Sequence, residues 1–599
     1  MGDRNVKIVK DDIEIYIDGN DKKYKDCTLL EMLQDYGLYV PHICKGNGTC
    51  GKCKVRLSNV DICIHEQEKK SLLEEELHQG IRLACKVKMQ ELWDKEDVEN
   101  IVVELIEYCE DSIWIEGINC DKRKNSTLDN NICIEKNIID NVDKLQKEYF
   151  IAIDIGTTTI AMALVESSTG EICDTYVSLN HQRALGGDVI SRILASNEGK
   201  GRELKNIIEE DLWRGIKKLG QPQSANQKDE KEQDLLKIEN KLRNISKIYL
   251  VGNTTMIHLL MGYSCESLGK YPFISKHLGQ IECVLSECIS NVNEFQKVTR
   301  EDKEERNNRH TNIDNRNDTF YENISKIPVT IIPGISAFVG GDIVAGMLVC
   351  PDFEKEEISL LVDLGTNGEM VLGNRDKMLV SSTAAGPAFE GGNIICGTAS
   401  IPGSICKLKI ENRKPIIKTI ANKLPPIGIC GTGLVSAISQ MRKNKILDAT
   451  GRLQYPYDRN GFVLGTSQMG KKVALYQEDI RQFQMAKSAI RAGIEILIQE
   501  YGCKIEDIKC VYLAGGMGAH LQEEEAISCG ILPKEFQGRT LIMGNTALLG
   551  AIEMGKMENQ TIYEDDVKRK LQFILSNSFL VSLSENKDFE KLYMKYMEL

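Results

Sequence analysis

The sequence predicts a multidomain chain, a small α+β domain followed by a larger two-halved α/β domain, from three observations. Near the N-terminus four cysteines, Cys44, Cys50, Cys53 and Cys85, are separated by five, two and thirty-one residues. Further on, one strand–turn–strand pattern is written twice, around Asp154-Ile155-Gly156-Thr157-Thr158-Thr159 and around Asp363-Leu364-Gly365-Thr366-Asn367-Gly368-Glu369. A third apolar strand, Lys509–Leu513, runs into the glycines of Ala514-Gly515-Gly516-Met517-Gly518. A doubled motif implies two similar halves facing one cleft.

The whole chain permits this. Its 599 residues are 42% hydrophobic and 27% charged, an ordinary soluble composition with room for several cores. A net charge of −13 argues against nucleic acid, because phosphate backbones need a basic face. No apolar run reaches the length of a membrane span, and Met1–Lys10 is too polar for a signal peptide. A cytoplasmic protein with reduced thiols is therefore expected. Of its 20 cysteines, Cys63, Cys265, Cys350 and Cys406 read as small buried or incidental residues. Cys109, Cys120 and Cys133 are too widely spaced to define a second cluster.

In the first domain, Val6–Val9 and Ile13–Ile17 read as a hairpin around Asp11-Asp12. Thr28 can cap a helix through Tyr36 that puts Leu29, Leu30 and Leu33 on one face. The cysteine loop follows, then a strand at Lys54–Leu57. Thiolates are the soft ligands iron–sulfur clusters need, and four complete a [2Fe–2S] centre. Gly46, Gly48 and Gly51 allow the loop to bring its amides close to a small anionic cluster. A structural zinc site is the alternative, but zinc fingers place ligands as two close pairs, whereas three of these share one loop. The first gap is one residue longer than the plant-type spacing and resembles that of vertebrate-type (adrenodoxin-like) ferredoxins. That resemblance implies a β-grasp ferredoxin fold over residues 1–91. Residues 92–148 are rich in Lys, Asp, Glu and Asn and read as a linker with one or two strands, short apolar runs such as Ile101–Ile106, and a helix near Ile138–Lys147.

Phe150–Leu164 and Leu360–Leu372 each place an Asp at a strand end, a glycine turn, and a second apolar strand. Such an Asp (Asp154, Asp363) can hold a metal ion or its water. Gly156 and Gly365 let the turn offer amides to phosphate oxygens, and Thr157, Thr158, Thr159, Thr366 and Asn367 add donors beside Glu369. Tight hairpins without a ligand are the bland alternative. An amphipathic helix, Phe483–Tyr501, carries Ala486, Ile490, Ile494 and Leu497 on one stripe and stops at Gly502. After the next strand, Gly515 and Gly516 can let a base and ribose lie against backbone. Gly431-Thr432-Gly433 opens a helical run, Leu434–Arg442, whose first amides can bind an anion. Val251-Gly252-Asn253-Thr254-Thr255, following the strand Lys247–Val251, also fits the cleft. Asp342 and Glu390, inside glycine loops, either hold metal or water or cap turns. His181 and His258 read as structural. Gln221–Asp234 and Thr299–Asp318 read as solvated insertions, and Phe579–Leu599 as a docked strand and helix.

The order of phosphate turn, second phosphate turn and Gly-Gly turn resembles the acetate and sugar kinase/heat-shock-70/actin superfamily. This resemblance implies a two-halved RNase H-like (actin-type) ATPase, divided here into a middle domain at 149–244 and a C-terminal ATPase domain at 245–599. Together with the four cysteines and Ala385-Gly386-Pro387-Ala388-Phe389-Glu390, the whole chain resembles the reductive activators of corrinoid proteins. The resemblance implies ATP-dependent reduction of a Co(II) corrinoid protein to Co(I), restoring methyl transfer. It implies a [2Fe–2S] cluster, ATP and Mg²⁺ as cofactors. It also implies a homodimer, a low-potential electron donor, and a corrinoid protein of a methyltransferase system as partner. One departure is Ala519-His520-Leu521-Gln522, where a small polar or acidic residue is expected beside the nucleotide. The rival readings are a small-molecule kinase with a redox-sensing ferredoxin domain, a redox-responsive binding module, and an ATP-driven activator of another metalloenzyme.

Overall fold

The computed structural model describes residues 5–10, 13–18, 24, 27–35, 40, 53–60, 62–72, 74–93, 100–105, 147–219, 244–290, 324–420, 424–467, 470–516, 521–560 and 565–599. The first apolar runs form a five-stranded sheet in the order Ile13–Asp18, Asn5–Lys10, Asn100–Leu105, Lys54–Ser58, Ile81–Leu83. Asn100–Leu105 is its centre, parallel to the first strand and antiparallel to Lys54–Ser58. This corrects two expected boundaries. The β-grasp domain does not end at 91, and the linker does not begin at 92, because the Ile101 and Val103 side chains are buried in the ferredoxin core. Helix Leu29–Asp35 covers the sheet. The Thr28 amide donates to Glu31 Oε2 (2.7 Å) and the Glu31 amide to Thr28 Oγ1 (3.3 Å), a reciprocal cap. Tyr36, the glycines of the cysteine loop, the helix expected near 138–147 (except Lys147) and both charged insertions lie outside the described residues.

The larger part is two sheets of one topology. The strands of the first half are, in chain order, Tyr149–Ile155, Thr159–Glu166, Ile172–Leu179, Ile245–Gly252 and Pro328–Ile331. Those of the second are Ile358–Leu364, Gly368–Gly373, Met378–Thr383, Ile508–Ala514 and Thr540–Gly544. Numbered within each half, both sheets run 5-4-1-2-3. Strands 1 to 3 form an antiparallel meander, strand 4 lies parallel to 1, and strand 5 parallel to 4. One edge strand is added to each, Ile281–Val284 in the first and Ser578–Leu580 in the second. The near-continuous apolar character of Tyr149–Ile155 and Ile358–Leu364 follows from burial on both faces. The boundary expected at 244/245 falls between two paired strands, since Ile245–Gly252 hydrogen-bonds to Tyr149–Ile155. The first half therefore continues through Pro328–Ile331 into helix Gly341–Leu348.

After its fifth strand each half sends a helix toward the other, Gly341–Leu348 from the first and Thr546–Gln560 from the second, and the two pack together. A Cβ on Gly550 would sit 2.0 Å from the Ala345 carbonyl oxygen, so only glycine permits the approach. The second helix also crosses onto the first half, where a Cβ on Gly555 would meet the Phe150 ring at 2.4 Å. The long amphipathic helix spans Gln477–Tyr501, starting earlier than its apolar stripe indicates. Asp479 explains the early start, because its carboxylate accepts from the Tyr476 amide (2.9 Å) and from the Ile395 amide (2.7 Å). Gly502 ends it at φ +78°. The tail docks as expected, strand Ser578–Leu580 on Met378–Val380 and helix Phe589–Lys595 on the long helix. Among the described residues no helix is long and apolar enough to cross a membrane.

Candidate functional site

Cys53 leads into strand Lys54–Ser58 and Cys85 follows its partner strand Ile81–Leu83, so antiparallel pairing brings the two thiols together. Their sulfurs are 3.3 Å apart and buried. Two thiolates on one tetrahedral metal, with bonds of about 2.3 Å, stand about 3.8 Å apart. The pair therefore fits a shared iron after a half-ångström adjustment. The strand that delivers Cys85 is anchored by a buried ion pair, Arg82 Nη2 to Glu68 Oε2 at 2.6 Å. Glu68 Oε1 also accepts from the Leu83 amide at 2.9 Å. The other two expected ligands, Cys44 and Cys50, lie outside the described residues.

The two phosphate turns meet. In each, glycine closes the turn through its amide, Gly156 to the Thr159 carbonyl (2.9 Å) and Gly365 to the Asn367 carbonyl (3.1 Å). Thr158 from the first turn and Thr366 from the second both donate to one oxygen of Glu390, at 2.5 and 2.6 Å, and their hydroxyls are 3.3 Å apart. Glu390 thus neither caps its own loop nor stands alone; it clasps both halves. Asp154 Oδ2 accepts from Asn545 Nδ2 (2.7 Å), while Asn545 Oδ1 caps helix Thr546–Gln560 through the Leu548 amide (2.8 Å).

Three carboxylates, Asp154, Asp342 and Asp363, line this cleft half-buried, and the Glu369 side chain is buried behind it. Desolvation pushes Asp154 up to about 7, with Asp342 adding to the rise and the Asn545 bond opposing it. Asp363 is pushed up to about 8 by desolvation first, then by Asp342, Asp154 and Glu390. Asp342 rises to about 6 through desolvation, held back by the amides at the start of its helix. Glu369 rises for the same reason and through Asp342 and Asp363. This is a site of excess negative charge, suited to a cation. Among the described residues no three His, Cys, Asp or Glu side chains converge to hold a metal ion by themselves.

Gly515 adopts φ +120°, and a Cβ there would lie 2.5 Å from the Leu364 carbonyl oxygen, so the Gly-Gly turn is pressed against the end of the second phosphate strand. Among the described residues nothing lies within 4 Å of where a Cβ on Gly516 would sit. Met517–His520 lie outside the described residues. Gly431, Thr432 and Gly433 begin helix Gly431–Lys443, all buried. A Cβ on Gly433 would meet the Ile405 carbonyl oxygen at 2.0 Å, so helix–strand packing requires that glycine. His181 pairs with Asp211 (2.5 Å) and His258 with Ser275 (2.8 Å), both structural. The site residues that sequence reasoning passed over are Asn180, Arg192 and Asn545. Asn180 Nδ2 donates to the Gly156 carbonyl (2.9 Å) and Arg192 Nη2 to the Thr157 carbonyl (2.5 Å), supporting the first turn from behind. Asn253, within the quoted run after its strand, donates to Thr157 Oγ1 at 3.0 Å.

Three family models match in sequence order. Residues 15–90 match the 2Fe-2S iron-sulfur cluster binding domain, 149–301 the RACo middle region, and 357–599 the C-terminal domain of RACo, the ASKHA domain. The corrinoid activation enzyme RamQ of Eubacterium limosum is 30% identical over 438 residues, which are 69% of this chain and 66% of that protein. The [Co(II) methylated amine-specific corrinoid protein] reductase of Methanosarcina barkeri is 25% identical, over 74% of this chain and 76% of that one. A solved reductive activator for a corrinoid, iron-sulfur protein is 24% identical, with a TM-score of 0.63 over 100% of this chain and 98% of its own. That likeness supports the fold, and the duplicated 5-4-1-2-3 sheets agree with it. The chain therefore belongs to the RACo family, a 2Fe–2S ferredoxin domain joined to a RACo middle region and an ASKHA domain.

Proposed function

We propose that this protein uses ATP to drive an electron from a [2Fe–2S] centre to the Co(II) of a corrinoid protein, returning it to Co(I) for methyl transfer. The observation that carries the proposal is the joining, in one chain, of a buried thiol pair and a doubled phosphate cleft clasped by Glu390. An electron carrier gains from ATP only where transfer is uphill, because nucleotide binding or hydrolysis can then shift a conformational equilibrium. The relatives named for corrinoid activation and for corrinoid-protein reduction support that choice of acceptor.

In this proposal Cys44, Cys50, Cys53 and Cys85 hold the cluster, which supplies reversible one-electron storage. The turn amides that follow Gly156 and Gly365, with the Thr157 hydroxyl, face the phosphates, while Thr158 and Thr366 hold Glu390. Asp154 and Asp363 hold Mg²⁺ or its waters, and Gly515-Gly516 lies against the adenosine. The protein is a cytoplasmic homodimer that takes electrons from a low-potential donor.

An anaerobic optical assay tests it. The protein, a low-potential reductant and a Co(II) corrinoid methyl-transfer protein are mixed with and without Mg-ATP, and Co(I) absorbance is followed. Co(I) forms only with ATP, and Asp363→Ala abolishes that dependence while leaving the cluster spectrum intact. Equal Co(I) formation with and without ATP overturns the proposal. ATP consumption that instead requires an added sugar or small acid favours the kinase reading.

A further inference from the structure

Behind the first phosphate turn lies a cation that the cleft chemistry above does not use. Arg192, on helix Val189–Ala195, is 0% exposed. Its hydrogen-bond acceptors are neutral. Nη2 donates to the Thr157 carbonyl at 2.5 Å, Nε to the Gly186 carbonyl at 2.9 Å, and Nη1 to Gln182 Oε1 at 3.2 Å and Met256 Sδ at 3.1 Å. Asp188, Asp211 and Glu390 are close enough to be felt, but none forms an ion pair with it. Burial pulls the guanidinium down to about 9, and Arg183 adds to the fall. A buried charge without a counter-ion is expensive even when it is hydrogen-bonded, so a chain that keeps one has a use for it.

The geometry of the turn supplies that use. A trans peptide is planar, with its carbonyl and its N–H pointing in opposite directions. The Thr157 carbonyl aims into the protein at Arg192, so the Thr158 N–H aims outward. Outward is the cleft, where Thr158 Oγ1 meets Glu390 and Thr366. The Thr158 amide has no acceptor among the described residues. A cation bonded to one end of a peptide polarises it and strengthens the donor at the other end.

We propose that Arg192 is a positioning residue for the nucleotide phosphates: it fixes the Thr157–Thr158 peptide with its N–H toward the cleft and backs that donor with positive charge. The inference rests on the proposed nucleotide reading and adds a residue to it. The competing role is a staple that merely joins Gly186, Gln182 and Thr157.

Titration calorimetry on the full chain separates the two roles. MgATP is compared with adenosine, which carries no phosphate and is read by displacement of MgATP where its own heat is small. Thermal midpoints are measured alongside. Arg192→Met weakens MgATP by about tenfold or more, the scale of one charge-assisted hydrogen bond, while adenosine affinity stays within about twofold. Arg192→Lys keeps the charge but not the fork, and recovers part of the loss. Equal weakening of both ligands, or of neither, overturns the inference. If Arg192→Met does not fold, Arg192→Gln, which keeps a donor but no charge, decides, because MgATP weakened by less than about twofold relative to adenosine removes the phosphate role. A wild-type protein that binds neither ligand removes the nucleotide reading and this inference with it.

Discussion

Asp154, Asp342 and Asp363 have folded-state pKa values raised to about 7, 6 and 8 from an ordinary 3.8, so between those limits the folded chain binds more protons than the unfolded one. Stability then falls as pH rises through that window, because ionising the carboxylates in the cleft is harder than ionising them in water. The thermal midpoint of nucleotide-free protein is expected to drop between pH 5 and pH 8. Asp363→Asn should flatten the drop; a wild-type profile in the variant would show that the charge is not stored there. Mg²⁺ should stabilise more at pH 8 than at pH 6, which scanning calorimetry can read directly. Asp154 and Asp363 were legible in the sequence because each stands near the end of an apolar strand and two residues before a glycine, a local pattern. Asn545 and Arg192 were not, since each acts on a turn far away in the chain, through a hydrogen bond that only the fold creates. Glu390 was visible as a carboxylate in a glycine loop, but its clasp on Thr158 and Thr366 needs both halves in place.

Strand Asn100–Leu105 makes the strongest case at the level of elements. It sits between Asn5–Lys10 and Lys54–Ser58, so a fragment ending at residue 91 leaves the β-grasp sheet split down its middle. Such a fragment is expected to give no cooperative unfolding transition and no cluster absorbance. One extended through residue 106 should show both, and a folded, cluster-bearing 1–91 fragment would refute the topology. A strand was legible here as the apolar run Ile101–Ile106, but its place in the sheet was not, because it lies beyond the cysteine motif in a charged segment whose composition resembles a linker. The crossing helices offer a second test. Gly550→Val places side-chain atoms where a Cβ alone would already be 2.0 Å from the Ala345 carbonyl oxygen. The two helices must separate, at a cost of roughly 1–3 kcal/mol or more, and the loss should appear in denaturant midpoint. Elsewhere the elements were readable where a local signal exists. Thr28 and Glu31 cap the first helix as its sequence indicates, while the long helix starts early on the strength of Asp479, whose partners are distant backbone amides.

For the molecule as a whole, the doubled Asp-x-Gly-Thr pattern revealed two halves, but it could not show where the first one closes. Its fourth and fifth strands come after a long excursion in the chain. The consequence for mechanism is a separation of duties. Among the described residues the ferredoxin core draws only on those between Ile8 and Leu105, whereas the cleft of the doubled turns is built from two other sheets joined by crossing helices. What a nucleotide can change directly is the relation between those two halves. A cluster's potential is set by its ligands, their hydrogen bonds and their burial, and the two described ligands, Cys53 and Cys85, are buried in the ferredoxin core. Mg-ATP should therefore leave the midpoint potential of the cluster within about 20 mV of its nucleotide-free value, roughly a twofold change for one electron. An anaerobic redox titration of the full chain without a corrinoid partner, followed at the cluster absorbance, measures this. An unchanged potential, with ATP still required for Co(I), would place the energetic action of ATP on the acceptor, by altering how its cobalt is held. A potential driven down by ATP would mean that the two cores communicate within the chain, and that the uphill step is made easier at the donor.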